Sequence, residues 1–171
     1  WRIGIGVQAF DPMNNGYNKN GLYGIQLLVD KKEVFKINFD SISYEEWNYI
    51  NAFIDYAYFQ KHRRRYQRMY VLPGNELSFL KDSPESVIKI FKGQTREIEV
   101  RTYDFEGNVS VLRFWVKRNE KIKEAEPLLF NYILPYDEES IIEIKNMQIL
   151  FPENTFYEPT KIHINRSAEN S

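Results

Sequence analysis

Apolar and polar residues alternate most clearly over residues 96–117, REIEVRTYDFEGNVSVLRFWVK. Ile98 and Val100 stand between charged residues, and Leu112 and Phe114 follow the same period of two, which is typical of strands with one buried face. Between the two runs, DFEGN supplies the Gly and Asn that a tight reversal requires. The pattern predicts a long antiparallel hairpin with these four apolar residues in the core, where Leu112→Ala would cost about 2–5 kcal/mol.

Similar runs separated by Gly, Pro and Asn predict further short strands before this hairpin. The sequence Ser43-Tyr-Glu-Glu46 is a capping box, and it predicts a short helix over residues 44–51. Residues 52–61 fit a helical stripe and a strand equally well. Residues 1–118 are therefore predicted to form an all-β, immunoglobulin-like antiparallel sandwich with one short helix. Its remaining predicted strands are 2–10, 22–30, 33–40, 66–72, 77–80 and 87–91.

A charged connector at residues 119–125 marks a predicted domain boundary. Beyond it, residues 126–171 contain apolar runs at 128–133, 140–144, 147–151 and 161–165. We expect them to begin a second β-unit that is incomplete within this chain, because three or four strands rarely form a stable sheet alone. Its predicted inward face carries six apolar side chains: Ile142, Ile144, Ile149, Phe151, Ile162 and Ile164.

Composition narrows the classes of function that this chain can have. The 171 residues include 12 Tyr, 12 Phe and 3 Trp, and the net charge of −1 gives no general attraction to nucleic acid. No apolar run approaches the 18 or so residues that a membrane-spanning helix needs, so no membrane span is expected. The chain begins at Trp1 inside a strand-like pattern, which favours a mature or excised fragment.

The sequence offers no recognisable catalytic or metal-binding site. There is no cysteine, and the two histidines, His62 and His163, belong to no metal-ligand spacing. Nucleophile-elbow, phosphate-loop and dinucleotide-binding motifs are also absent from the sequence. We therefore predict no catalytic residue, no metal ligand and no cofactor for this chain.

Two groups of residues are candidates for a binding surface. The first is the basic run His62, Arg63, Arg64 and Arg65, which a solvated connection explains more simply than a nucleic-acid patch. The second contains the aromatic residues Trp47 and Tyr49, with Tyr56 and Tyr58 following them. Such rings could form a sugar-stacking platform, although packing in the core is the commoner role.

Three stretches also resemble a known family: NGLYGIQLLVD…FKINFDSISYEEWNYINAFIDY, RRRYQRMYVLPGNELSF and YDFEGNVSVL. In order and spacing they resemble a non-catalytic region downstream of the peptidase domain in M23-type (lysostaphin/LytM-like) metallopeptidases of Bacteroidetes-type bacteria. The resemblance covers about residues 1–118, and the stretch MQILFPENTFYEPTKIHI resembles the next β-segment more weakly.

The resemblance implies an accessory module of a periplasmic or envelope-facing peptidoglycan endopeptidase. Members of that family hold zinc with HxxxD and HxH motifs, and neither occurs here, so zinc is expected only in a parent peptidase domain. The implied partners are the peptidase domain of the same polypeptide and either peptidoglycan or an envelope protein. The alternative is a stand-alone carbohydrate-binding or adhesion β-sandwich.

Overall fold

A computed structural model describes residues 1–12, 19–81, 86–119 and 129–165. The chain divides into two compact units, Trp1–Ile122 and Lys123–Ser171. Strands predominate in the described residues, so the prediction of an all-β chain is confirmed, and the sheets that they form are small and unclosed. Except for Asn119, the predicted connector 119–125 lies outside the described residues. No helix in the described part of the chain is both long and apolar enough to cross a bilayer.

Strands of the first unit fall into one four-stranded sheet and several two-stranded ladders. Its strands are β1 (Arg2–Ile3), β2 (Gly6–Val7), β3 (Asp11–Pro12), β4 (Lys19–Asn20), β5 (Gly24–Val29), β6 (Lys32–Asn38), β7 (Gln67–Arg68), β8 (Ile88–Lys89), β9 (Thr95–Tyr103) and β10 (Val109–Lys117).

The four-stranded sheet has the order β10-β9-β5-β6, with every neighbouring pair antiparallel. The predicted hairpin is its β9–β10 pair, in which Val100 faces Leu112 and Ile98 faces Phe114. Gly107 closes the reversal with φ of 88°, a conformation that glycine adopts without steric cost. The local pattern of residues 96–117 was therefore sufficient to predict this hairpin.

One hydrophobic cluster fills the first unit. The sheet contributes Ile25, Leu27, Phe35, Ile98 and Val100, all of them at most 4% exposed. The other side of the cluster comes from the helical segments, the short ladders and the loops between them. That side consists of Phe53, Met69, Leu77, Leu80, Ile88 and Ile90.

The prediction that Leu112 lies in the core is wrong. Its side chain is 57% exposed, although its cross-strand partner Val100 is 4% exposed. Both residues point to the same side of the sheet, but β10 is an edge strand, and the cluster reaches it only near Phe114 and Val116. Alternation therefore predicted the correct face, whereas burial depended on how far the opposite layer extends.

The capping box forms as predicted. The Ser43 amide donates to Glu46 Oε2 at 3.0 Å, and the Glu46 amide donates to the Ser43 hydroxyl oxygen at 3.3 Å. A 3-10 helix (Trp47–Tyr49) follows directly and continues into helix α1 (Ile50–Phe53). The ambiguous stretch 52–61 continues through an extended Ile54 into a second helix, α2 (Tyr56–His62).

Two predicted strands have a different conformation. Residues 77–80 form a 3-10 helix (Ser78–Leu80), because the side chains of Asn75 and Glu46 accept hydrogen bonds from the amides of Leu77 and Ser78. The predicted strand 2–10 is divided into β1 and β2. Two partners account for this division, since β1 pairs with β8 and β2 pairs with β7.

The second unit contains two antiparallel ladders. Strands β11 (Tyr132–Leu134) and β14 (Thr160–Ile162) form one ladder. Strands β12 (Ser140–Ile144) and β13 (Met147–Phe151) form the other, with the bounds that the sequence predicted. Ile142 is 3% exposed and the other five predicted inward residues are half-buried, whereas the alternating Ile141 and Leu150 are more than half exposed.

Candidate functional site

The predicted basic run lies at the carboxyl end of α2 and in the turn that follows. Arg63 ends the helix with φ of 57°, and its amide donates to the Phe59 carbonyl at 2.8 Å. The guanidinium groups of Arg63 and Arg65 lie 5.9 Å and 5.0 Å from the centre of the Phe59 ring, within cation–π range. All four residues of the run remain exposed, so this end of α2 displays the positive charges of three arginines, two of which lie against Phe59.

His62 links the basic run to a group of tyrosines. Its ring stacks on Tyr58 at a centroid distance of 4.1 Å, and the rings of Tyr58 and Tyr66 meet edge to face at a centroid distance of 5.0 Å. Tyr58 lies in α2, whereas Tyr66 directly precedes β7. These contacts fix the Tyr58 ring from two sides, and an aromatic surface that is already ordered loses little conformational entropy when a ligand binds.

Beside these rings lies an open cleft of about 290 Å³, here called the tyrosine cleft. It forms where β2 pairs with β7 and where α2 begins. Its lining comprises three rings, one ion pair and two glycines: Tyr58, Tyr66, Tyr70, Asp55, Arg68, Gly4 and Gly6.

Asp55 and Arg68 supply the charged groups of the cleft. Arg68 Nη2 lies 3.6 Å from Asp55 Oδ1, and Arg68 Nη1 donates to the Ala52 carbonyl at 2.7 Å. Asp55 Oδ1 also accepts a hydrogen bond from the Tyr58 amide at 3.1 Å and so caps α2. Arg68 Nε is buried and has no hydrogen-bond partner among the described residues. The charges of Asp55 and Arg68 therefore neutralise each other, while the Nε–H group of Arg68 has no acceptor among the described residues.

The two glycines that line the cleft have different roles. A Cβ atom at Gly4 would overlap the Tyr70 ring, so only glycine lets that ring lie directly against the β1–β2 backbone. A Cβ atom at Gly6 would meet the Gln67 carbonyl oxygen at 3.5 Å and Tyr66 Cβ at 3.7 Å, which are ordinary contacts. Gly4 is thus required for packing, whereas a side chain at Gly6 would narrow the cleft.

Trp47 and Tyr49 lie in the 3-10 helix that precedes α1. Trp47 is 67% exposed, and the Tyr49 hydroxyl donates to Glu76 Oε2 at 3.1 Å. The carboxylate of neighbouring Glu46 accepts hydrogen bonds from the Ser43 amide and, at 2.6 Å, from the Ser78 amide. These hydrogen bonds, chiefly the one from Ser43, lower the pKa of Glu46 to about 2. The charged Glu46 therefore holds the segment of Trp47 and Tyr49 to the start of the 3-10 helix Ser78–Leu80.

The structure thus brings only some of the predicted binding residues close to one another. His62 reaches the tyrosine cleft through Tyr58, and Arg63 and Arg65 share the Phe59 ring. Sequence reasoning considered Tyr58 as a sugar-stacking residue. It missed Asp55, Gly4 and Gly6. A signal for Gly4 and Gly6 existed in the GxG spacing of a predicted strand, since glycine in a strand often marks close approach of another group.

No family model, curated protein or solved structure matches this chain.

The second unit has an open cleft of its own, with a volume of about 620 Å³, beside the Lys145-Asn146 turn. Asn131 lines it, but its amide group is already used. Asn131 Nδ2 donates to the Ile164 carbonyl, and the Ile164 amide donates to Asn131 Oδ1, each at 3.0 Å. The tyrosine cleft is the better candidate site, because it combines ordered rings with the partly exposed carboxylate of Asp55.

Proposed function

We propose that this chain is a non-catalytic accessory module of a cell-envelope peptidoglycan endopeptidase. In this role it positions the peptidase domain of the same polypeptide, or holds wall polymer or an envelope protein for it. The catalytic zinc belongs to that peptidase domain, and the working location is the periplasm or the cell envelope. The sequence resemblance over residues 1–118 supports the assignment, and the quoted stretches include β5, β6 and the β9–β10 turn.

The observation that carries the proposal is the group of exposed cations Arg63, Arg64 and Arg65, two of which, Arg63 and Arg65, lie against Phe59. Peptidoglycan presents carboxylates on its peptide stems, and arginine pairs with carboxylates through two parallel hydrogen bonds. Phe59 holds Arg63 and Arg65 in place, so less side-chain entropy is lost on binding than for free arginines. The basic run is therefore suited to hold an anionic polymer.

An immunoglobulin-like sandwich is the proposed finer description of the first unit. In that fold the strands G, F, C and C′ are neighbours in one sheet, and B pairs with E in the other. The order β10-β9-β5-β6 corresponds to the first set, and the antiparallel β1–β8 pair corresponds to the second. Modules of this class commonly present binding surfaces on a rigid framework.

Co-sedimentation with purified peptidoglycan sacculi tests the proposal. The chain should pellet with sacculi at low ionic strength and be released by salt, since exposed charges are screened. Replacing Arg63, Arg64 and Arg65 with Gln should lower the bound fraction by about fivefold or more. The matched control replaces three exposed cations elsewhere in the unit, Lys81, Lys89 and Lys92, with Gln.

The control should retain at least about half of the wild-type binding, because it loses the same charge at a different place. Equal losses in the two variants would mean that binding follows net charge rather than this surface. A wild-type chain that stays in the supernatant at every ionic strength would contradict the wall-binding role directly.

The tyrosine cleft favours a second candidate function, a stand-alone carbohydrate-binding or adhesion β-sandwich. Aromatic rings beside hydrogen-bonding side chains are the usual components of a sugar site. This alternative requires neither a peptidase domain nor the basic run. Binding of soluble oligosaccharides by a chain that ignores sacculi would favour it.

A further inference from the structure

The three tyrosines of the tyrosine cleft present aromatic surface in a fixed arrangement. The His62 ring stacks on Tyr58, and the rings of Tyr58 and Tyr66 pack edge to face. Tyr70 lies against the backbone at Gly4, where any larger residue would displace it. All three rings are half-buried, so each is supported by the protein and also reaches solvent. The parts of these rings that reach solvent offer apolar surface to a ligand that itself has an apolar face.

The polar groups of the cleft favour a ligand without net charge. Arg68 and Asp55 already neutralise each other at 3.6 Å, and Arg68 also donates to the Ala52 carbonyl. A charged ligand would compete with this pair, and separating partly buried charges is costly. Asp55 is 40% exposed and can accept further hydrogen bonds, and the Arg68 side chain is 18% exposed. Hydroxyl groups suit both side chains, since each hydroxyl donates and accepts.

From these observations we propose that the tyrosine cleft binds a neutral oligosaccharide, with a pyranose ring stacked on the tyrosines and its hydroxyls bonded to Asp55 and Arg68. A pyranose ring combines an apolar C–H face with hydroxyls on its rim. The volume of about 290 Å³ lies just below the usual range for ligand pockets, which suits one sugar unit of a longer chain. The open shape lets the remaining units extend into solvent.

This inference rests on the proposed function, because the proposed ligand of the cleft is the uncharged sugar part of a wall polymer. The sugar would bind in the tyrosine cleft, whereas the carboxylates of the polymer would bind to the basic run. The two can therefore be separated by experiment, with soluble neutral sugar as one probe and sacculi as the other.

Amide chemical shifts of the 171-residue chain, titrated with tetra-N-acetylglucosamine and with cellotetraose, provide the test. At least one of these tetrasaccharides should shift resonances of residues that line the cleft. Gly6→Val, which adds a side chain to the lining of the cleft, should weaken that binding by about tenfold or more. Gly21→Val is the matched control, because a Cβ atom at Gly21 meets nothing within 4 Å, and it should leave the affinity unchanged.

A second variant covers the case in which Gly6→Val does not fold. Tyr58→Leu keeps apolar volume beside Tyr66 but removes the flat ring, and it should weaken binding by a similar factor. Thermal melts identify a variant that has lost its fold. The inference is overturned if neither tetrasaccharide shifts cleft resonances, if both folded variants bind as the wild type does, or if anionic tetragalacturonate binds more tightly than the neutral sugars. Tetrasaccharide binding without sacculus binding would refute only the proposed function.

Discussion

Leucine-to-alanine substitutions at positions 27 and 112 compare burial on the two strands that flank β9. Both leucines lie opposite Val100, Leu27 on β5 and Leu112 on β10. Leu27 is fully buried, so Leu27→Ala should cost about 3–5 kcal/mol from lost transfer energy and the cavity that remains. Leu112 is 57% exposed, and a Leu side chain gains about 1.5–3 kcal/mol on complete burial. Leu112→Ala should therefore cost about 1 kcal/mol or less, because water fills the space without a cavity.

Urea unfolding followed by tryptophan fluorescence measures this difference. All three tryptophans, Trp1, Trp47 and Trp115, lie in the first unit, so the signal reports on the unit that carries both leucines. The midpoint should fall far more for Leu27→Ala than for Leu112→Ala, at similar m-values. A loss above about 2 kcal/mol for Leu112→Ala would refute the reasoning and show that another surface covers the edge strand in solution. Concentration dependence of the midpoint would then identify a second copy as that cover.

Three other predictions concern charge, metal and the second unit. The carboxylate of Glu46 stabilises the fold above its unfolded pKa of 4.5, and this contribution is lost as the pH falls toward about 2. The difference in urea midpoint between the wild type and Glu46→Gln should therefore shrink from pH 6.5 to pH 2.5, with Glu45→Gln as the control; a constant difference would contradict the pKa assignment. With two separated histidines and no cysteine, the chain should retain no stoichiometric zinc after dialysis and should cleave no muropeptide. One tightly held zinc per chain in metal analysis would disprove this. A chain ending at Arg118 should melt cooperatively, whereas residues 126–171 alone should not, because their two-stranded ladders leave Ile133, Ile141 and Leu150 more than half exposed. A two-state melt of the shorter piece would show that the unit is independently stable.

Local sequence determined the elements whose causes lie within a few residues. The β9–β10 hairpin follows from alternation around a Gly-Asn reversal, and the β12–β13 hairpin follows from the same alternation around Lys145-Asn146. The capping box formed because Ser43 and Glu46 are three residues apart and satisfy each other's amides. In each case the interacting groups are neighbours in the chain, so their pattern is visible in the sequence.

Tertiary structure decided the features that depend on distant partners. Residues 77–80 became a 3-10 helix partly because Glu46, 32 residues earlier, accepts the Ser78 amide. Leu112 became exposed because β10 lies at the sheet edge, a position set by the β5–β9 pairing and not by its own alternation. The tyrosine cleft exists because β2 pairs with β7 across about 60 residues and brings Gly4 and Gly6 beside Tyr66 and Tyr70. Residue chemistry suggested aromatic and basic candidates, but only long-range pairing could place Asp55 and Arg68 next to the rings.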